Sequence, residues 1–184
     1  MSFPAARPAS QASEPIFRAP KKSLALIGFM GSGKSVVGAL VAYRARVPFR
    51  DLDFMIENEA AMSIPEVFAR RGEAAFRSLE SRLLPDALQS GAVAALGGGT
   101  VMDDANWQLI QQRSMSVYLE LSFETIWERI GRSENRPLVA GRLRREVADL
   151  FERRRPRYEE AAYRVDADRS PDEVATDLLA LWPG

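Results

Sequence analysis

Short apolar runs alternate along the chain with stretches of helical period, and the alternation predicts a doubly wound parallel sheet. Leu24 to Gly28 (LALIG) reads as a buried parallel strand, followed at once by glycines and then by KSVVGALVAYRAR, whose apolar residues recur at helical spacing. Val47 to Asp53 (VPFRDLD) reads as a second strand ending in acids. Phe54 to Arg71 gives short helical pieces, with Ser63 as an N-cap and Pro65 in a first turn. A longer helix is expected over Glu73 to Gln89, with Pro85 bending or breaking it. Ala92 to Leu96 and Ser116 to Leu121 read as strands three and four, separated by a short helix near Asp104 to Gln112. A helix capped by Ser122 follows. Arg164 to Ala167 is an edge strand, and a last helix starts with Ser170 as cap and Pro171 at its first position.

Two stretches fall outside this alternation. Residues 1–22 contain Pro4, Pro8, Pro15 and Pro20 and show neither period, so a disordered tail is expected there, with one domain over 23–184. The tail lacks the apolar core of a signal peptide, and no apolar run reaches the ~20 residues that span a bilayer. The cytoplasm is the expected location. Ser133 to Arg145 (SENRPLVAGRLRR) is polar and broken by Pro137 and Gly141. Its composition alone suits a surface connection or a mobile lid.

Composition narrows the chemistry. Acids and bases balance at 25 each among 184 residues, which gives no reason to expect nucleic acid or an anionic membrane as partner. With no extended apolar edge or coiled-coil pattern, a monomer is expected. There is no cysteine and no histidine, so thiolate chemistry, cysteine zinc sites and the commonest general base are excluded. Proton transfer and metal binding must use carboxylates, hydroxyls or water, an inventory that suits Mg2+. The arginines from Arg142 to Arg157 form either a solvated helix face or an anion site.

Gly28 to Ser35 (GFMGSGKS) matches G-x-x-x-x-G-K-(S/T) with an apolar strand before it and an amphipathic helix after it. Gly28, Gly31 and Gly33 let successive N–H groups point at phosphate oxygens, and the helix N-terminus adds positive potential. Lys34 would reach the β- and γ-phosphates, and the Ser35 hydroxyl would ligate magnesium. A guanine-reading N-K-x-D element is absent, and no apolar strand here ends in the aspartate of a motor ATPase, although strand four offers Glu120.

Asp51 and Asp53 close the second strand at the sheet edge where ligands bind, and strand alternation would point both the same way, one to hold magnesium through water and the other to accept a substrate proton; the alternative is acids in a helix's first turn. Arg77 and Glu80 share a helix face, as a solvated salt bridge or as an arginine held toward a substrate carboxylate. Gly97 to Gly99 follow the third strand, and three glycines in a row imply close approach to the backbone.

Together, GFMGSGKS, DLD, FRSLE, GGG, RPL (Arg136 to Leu138) and R-x-P-x-Y (Arg154 to Tyr158) resemble the shikimate kinase family, small phosphotransferases of the nucleoside-monophosphate-kinase type. Each later motif is weak alone; six in order over about residues 24–166 are specific. The resemblance implies a three-layer α/β/α P-loop fold with a five-stranded parallel sheet and a mobile lid over about 132–145. It implies ATP and shikimate as substrates and phosphorylation at the 3-hydroxyl. By the same resemblance Gly31, Ser32, Gly33, Lys34, Ser35, Val36, Arg129 and Arg136 bind ATP, with Arg129 against the adenine and Arg136 swinging onto the phosphates. Ser35 and Asp51 organise Mg2+. Asp53 binds shikimate hydroxyls and serves as base, Arg77 and Arg154 clamp the carboxylate, Glu80 orients the site, and Gly98 contacts the substrate through its backbone. Lys34, Asp53 and Arg136 form the catalytic set. The last motif lies within ERRRPRY, where the distance to Pro156 and Tyr158 selects Arg154 over Arg153 and Arg155. Gluconate kinase, or a nucleotide-dependent binding protein on the same fold, are the competing readings.

Overall fold

The computed structural model describes residues 22–131 and 144–182. The N-terminal tail up to residue 21 and most of the expected lid, including Arg136, lie outside the described residues.

Five strands, β1 (Ser23–Ile27), β2 (Phe49–Asp51), β3 (Val93–Ala95), β4 (Ser114–Glu120) and β5 (Tyr163–Asp166), form one sheet. Their order is β2-β3-β1-β4-β5 and every pairing is parallel. Leu24, Ala25, Leu26 and Ile27 are essentially inaccessible, as expected for a central strand covered on both faces. Each buried leucine or isoleucine contributes roughly 1.5–3 kcal/mol.

Connectivity settles where the helices lie. The chain leaves β1 toward one edge, through α1 (Lys34–Ala45) to β2, and leaves β3 toward the other edge, through α4 (Asp104–Arg113) to β4. Right-handed crossovers in opposite directions put α1 and α4 on opposite faces. α7 (Pro171–Leu181) packs beside α1, while α3 (Ile64–Ala87) touches α4, and α5 (Phe123–Gly131) touches α6 (Arg144–Glu159). Since β1 and β3 are neighbours whose exits diverge, a crevice opens between their C-terminal ends.

Local chemistry sets the helix ends. The Ser170 hydroxyl accepts from the Glu173 N–H at 3.3 Å, the Glu173 carboxylate accepts from the Ser170 N–H at 3.1 Å, and Pro171 occupies the first turn. Ser63 and Glu66 make the corresponding box ahead of α3. Ser122 accepts from the Thr125 N–H at 3.1 Å and caps α5.

The helical pieces expected up to Arg71 are α2 (Leu52–Ala60) and the first part of α3, and the longer helix starts after a break at Gly72 (φ 79°, ψ 170°), as expected. Two expectations change. Pro85 does not break α3: it forfeits one N–H donor, and the helix runs on to Ala87, with the Leu88 N–H donating to the Leu84 carbonyl at 3.0 Å. The strand at VPFRDLD stops at Asp51, whose carboxylate caps α2 by accepting from the N–H groups of Asp53 (3.1 Å) and Phe54 (3.4 Å). No strand alternation therefore aligns the two aspartates. Among the described residues, no helix is long and apolar enough to cross a membrane.

Candidate active site

The segments following β1 and β3 border one cavity of about 750 Å³, in the upper range for ligand clefts. Gly31, Ser32, Gly33, Lys34, Ser35 and Val36 line one end together with Arg129. Asp53, Arg77, Glu80, Gly98 and Arg154 line the other, with Asp51 also on the wall. The sequence-predicted residues that are described thus gather around a single space, although they come from six elements.

The end lined by Gly31 to Val36 is chiefly backbone. Gly28, Gly31 and Gly33 all have left-handed φ (143°, 83° and 91°), which bends the loop so that α1 begins at its base. Lys34 Nζ folds back onto the carbonyls of Gly28 and Phe29, each at 2.9 Å, and so braces the loop from inside. Arg129 Nη1 reaches the Gly31 carbonyl at 3.5 Å from α5. Sequence reasoning missed Ala167, Arg169 and Pro171, which border this end. The signal was available, because the loop leaving the C-terminal end of β5 lies on the ligand edge of such a sheet.

At the other end, side chains organise one another. Glu80 is 1% exposed; its Oε2 accepts from Arg77 Nη1 at 2.7 Å and its Oε1 accepts from the Thr100 hydroxyl at 2.6 Å. The Arg77–Glu80 pair is consequently no solvated surface bridge. Glu73, exposed and 3.4 Å from Arg77 Nη2, adds little orientation.

The three glycines make room for these side chains. A Cβ on Gly97 would stand 2.8 Å from Glu80 Oε1 and 3.1 Å from Asp53 Oδ1, and one on Gly99 would stand 2.6 Å from Arg77 Nη1. The close approach expected from GGG is therefore made in part by the site's own groups.

α6 supplies Arg154 and closes this end. Arg153 and Arg155 are exposed, and Arg155 pairs with Glu152 and Glu159, whereas Arg154 is only 9% exposed and faces the cavity. No carboxylate pairs with Arg154 among the described residues; its guanidinium lies over the Phe29 ring, and its charge acts on the neighbouring Tyr158 hydroxyl. Tyr158, fully buried and stacked on Tyr118, donates to the Gly98 carbonyl at 2.5 Å. Burial raises the Tyr158 pKa well above the usual phenol value, which keeps this group a neutral donor.

Asp53 is solvent-exposed, with its carboxyl on the cavity wall. Loss of hydration there, and then repulsion from Asp51, push its pKa up to about 6; Lys34 draws it down, and Glu80 and Glu57 add to the rise. The crowding of protein around the carboxyl matters more here than the solvent that reaches its edge. No group of three or more acids gathers as a complete metal cage among the described residues. Ser35 and Asp51 instead offer a partial oxygen set on the cavity wall, which fits Mg2+ that keeps waters and phosphate oxygens as its other ligands.

The family model described as Shikimate kinase matches residues 30–182. A shikimate kinase of Salinibacter ruber is 42% identical over 178 residues, covering 91% of this chain and 87% of its own. That of Aquifex aeolicus is 37% identical over 160 residues, covering 86% and 95%. The crystal structure of the Aquifex aeolicus enzyme superposes with a TM-score of 0.77 at 36% identity over 86% of this chain and 94% of that one. The Acinetobacter baumannii shikimate kinase in complex with shikimate gives 0.82 at 31% identity, covering 88% and 92%. A deoxyadenosine kinase from M. mycoides, 12% identical with a TM-score of 0.60 and covering 89% and 100%, shares the fold alone.

Proposed function

The chain belongs to the shikimate kinase family, and from that premise we propose how its own residues transfer the γ-phosphate of ATP to the 3-hydroxyl of shikimate. The observation that carries this reading is Arg154, a nearly buried guanidinium without a carboxylate partner among the described residues, set across the cavity from a phosphate loop. Burying an uncompensated cation costs several kcal/mol. A substrate carboxylate would offset that cost, and Arg77, oriented by Glu80, stands ready as the second half of a clamp.

With the carboxylate held, the substrate's hydroxyls face Asp53, which accepts the proton of the 3-hydroxyl as its oxygen bonds to the γ-phosphorus and ADP leaves. A carboxyl pushed up to about 6 is a better proton acceptor than an ordinary aspartate and is still ionised at neutral pH. The N–H groups of the phosphate loop and Lys34 carry the charge of the β- and γ-phosphates. Ser35 and Asp51 would hold Mg2+, directly or through water, and the ion would neutralise phosphate charge and fix its geometry. Arg129 would lie against the adenine. Arg136 would add a cation from a lid that excludes water from the γ-phosphate. One chain supplies both ends of the cavity, which supports action as a monomer, and we place it in the cytoplasm.

A coupled assay of ADP release with shikimate and gluconate side by side tests the reading. We expect turnover with shikimate and Mg2+ATP only. Turnover with gluconate alone would make the chain a sugar-acid kinase, and no turnover with either would leave a nucleotide-binding protein.

A further inference from the structure

We infer that Thr100 is a positioning residue for the acceptor site, setting the direction of Arg77 through Glu80. This rests on the reading of the cavity as a shikimate kinase site, but it concerns a residue that does not line the cavity. Thr100 is fully buried at the start of a 3-10 turn, Thr100–Met102, which follows the three glycines. Its backbone is fixed on both sides. The Thr100 N–H donates to the Gly97 carbonyl at 3.1 Å, and its own carbonyl accepts from Nδ2 of the buried Asn106 at 3.3 Å. With the main chain pinned, the hydroxyl has a defined place from which to donate to Glu80 Oε1 at 2.6 Å.

Glu80 divides its two oxygens between Thr100 and Arg77, so the direction of one contact constrains the other. The missing Cβ of Gly97 allows this arrangement, since that position lies 2.8 Å from Glu80 Oε1 and 3.0 Å from Thr100 Oγ1. Without the hydroxyl, Oε1 becomes a buried acceptor lacking this donor, and the carboxylate turns to find another. Arg77 then loses the fixed geometry a bidentate carboxylate contact needs, just as outer partners orient the ligands of a metal. Arg154 shares no hydrogen bond or ion pair with Glu80 or Thr100 among the described residues, so the loss falls on the Arg77 half of the clamp.

The test is steady-state kinetics on wild type, Thr100→Ser, Thr100→Ala and Thr100→Val. Ser and Ala both lack the methyl group and differ at that position only by the hydroxyl, so their comparison isolates it even if the Val variant does not fold. We expect Ala and Val to raise KM for shikimate about tenfold, with KM for ATP within about twofold of wild type and Ser close to wild type. Equal shikimate KM values for Ser and Ala would overturn the inference. So would a rise in KM for ATP in step with that for shikimate, which would mark a purely structural residue. Wild-type inactivity toward shikimate would instead overturn the functional reading, and this inference with it.

Discussion

At the nucleotide end of the cavity the ligand-facing surface is a bent main chain at the foot of α1, and even Lys34 spends its ammonium on two carbonyls of that loop. At the acceptor end the surface is a set of side chains in which Thr100 holds Glu80, Glu80 holds Arg77, and Tyr158, beside Arg154 on α6, holds the Gly98 carbonyl. Backbone donors suit a phosphate, which every nucleotide presents alike. Interlocked side chains suit one particular small acid, because each removes freedom from the next. The cost is fragility: the acceptor end should fail by small displacements, whereas the nucleotide end should fail only when a charge or a glycine is lost.

Loss of charge at the nucleotide end is the largest effect expected. Lys34→Ala should lower kcat by about 10²–10³, because a preorganised cation leaves the transferring phosphoryl group. Its effect on shikimate affinity in the absence of nucleotide should be slight, and a large loss there would blur the two ends into one. A displacement at the acceptor end comes next. Gly99→Ala sits at φ −103°, where any residue fits, so its one consequence is a methyl 2.6 Å from Arg77 Nη1. Shikimate KM should rise about tenfold or more with little change for ATP; an unchanged shikimate KM would mean that Arg77 need not keep its place.

The smallest effect concerns stability. The Asp53 pKa is raised from 3.8 to about 6, so between those values the folded protein binds more protons than the unfolded chain. Stability from this group therefore falls as pH rises through that window, and the penalty is complete above it. Asp53→Asn should gain about 1 kcal/mol at pH 7.5, after discounting for solvent screening, and nothing at pH 4, while abolishing most turnover. Denaturant titrations at the two pH values check this, and a gain at pH 4 equal to that at pH 7.5 would disprove it.

The same contrast explains what could be read from the chain alone. The phosphate loop is contiguous, with a strand, glycines and a helix start all inside Leu24 to Ala45, so local pattern sufficed. The five strands were legible for the same reason. Their spatial order was not, because it depends on which way each crossover turns. Motif matching brought Asp53, Arg77, Gly98 and Arg154 together, but spacing could not show that Asp51 ends its strand to cap α2. Spacing to Pro156 and Tyr158 singled out Arg154 in ERRRPRY, but not why it is buried while Arg153 and Arg155 are exposed, which follows from Phe151 and Tyr158 being buried on the same face of α6. Nothing in the sequence singled out Thr100, because its partner Glu80 lies 20 residues away on another element.

The central claim is that Arg154 serves the acid and not the nucleotide, and it can be tested at equilibrium. Shikimate and ADP should each be titrated calorimetrically into wild type and Arg154→Ala. The account predicts that shikimate affinity falls about a hundredfold or more while ADP affinity stays within about twofold. Equal losses for both ligands, or an undiminished affinity for shikimate, would contradict it.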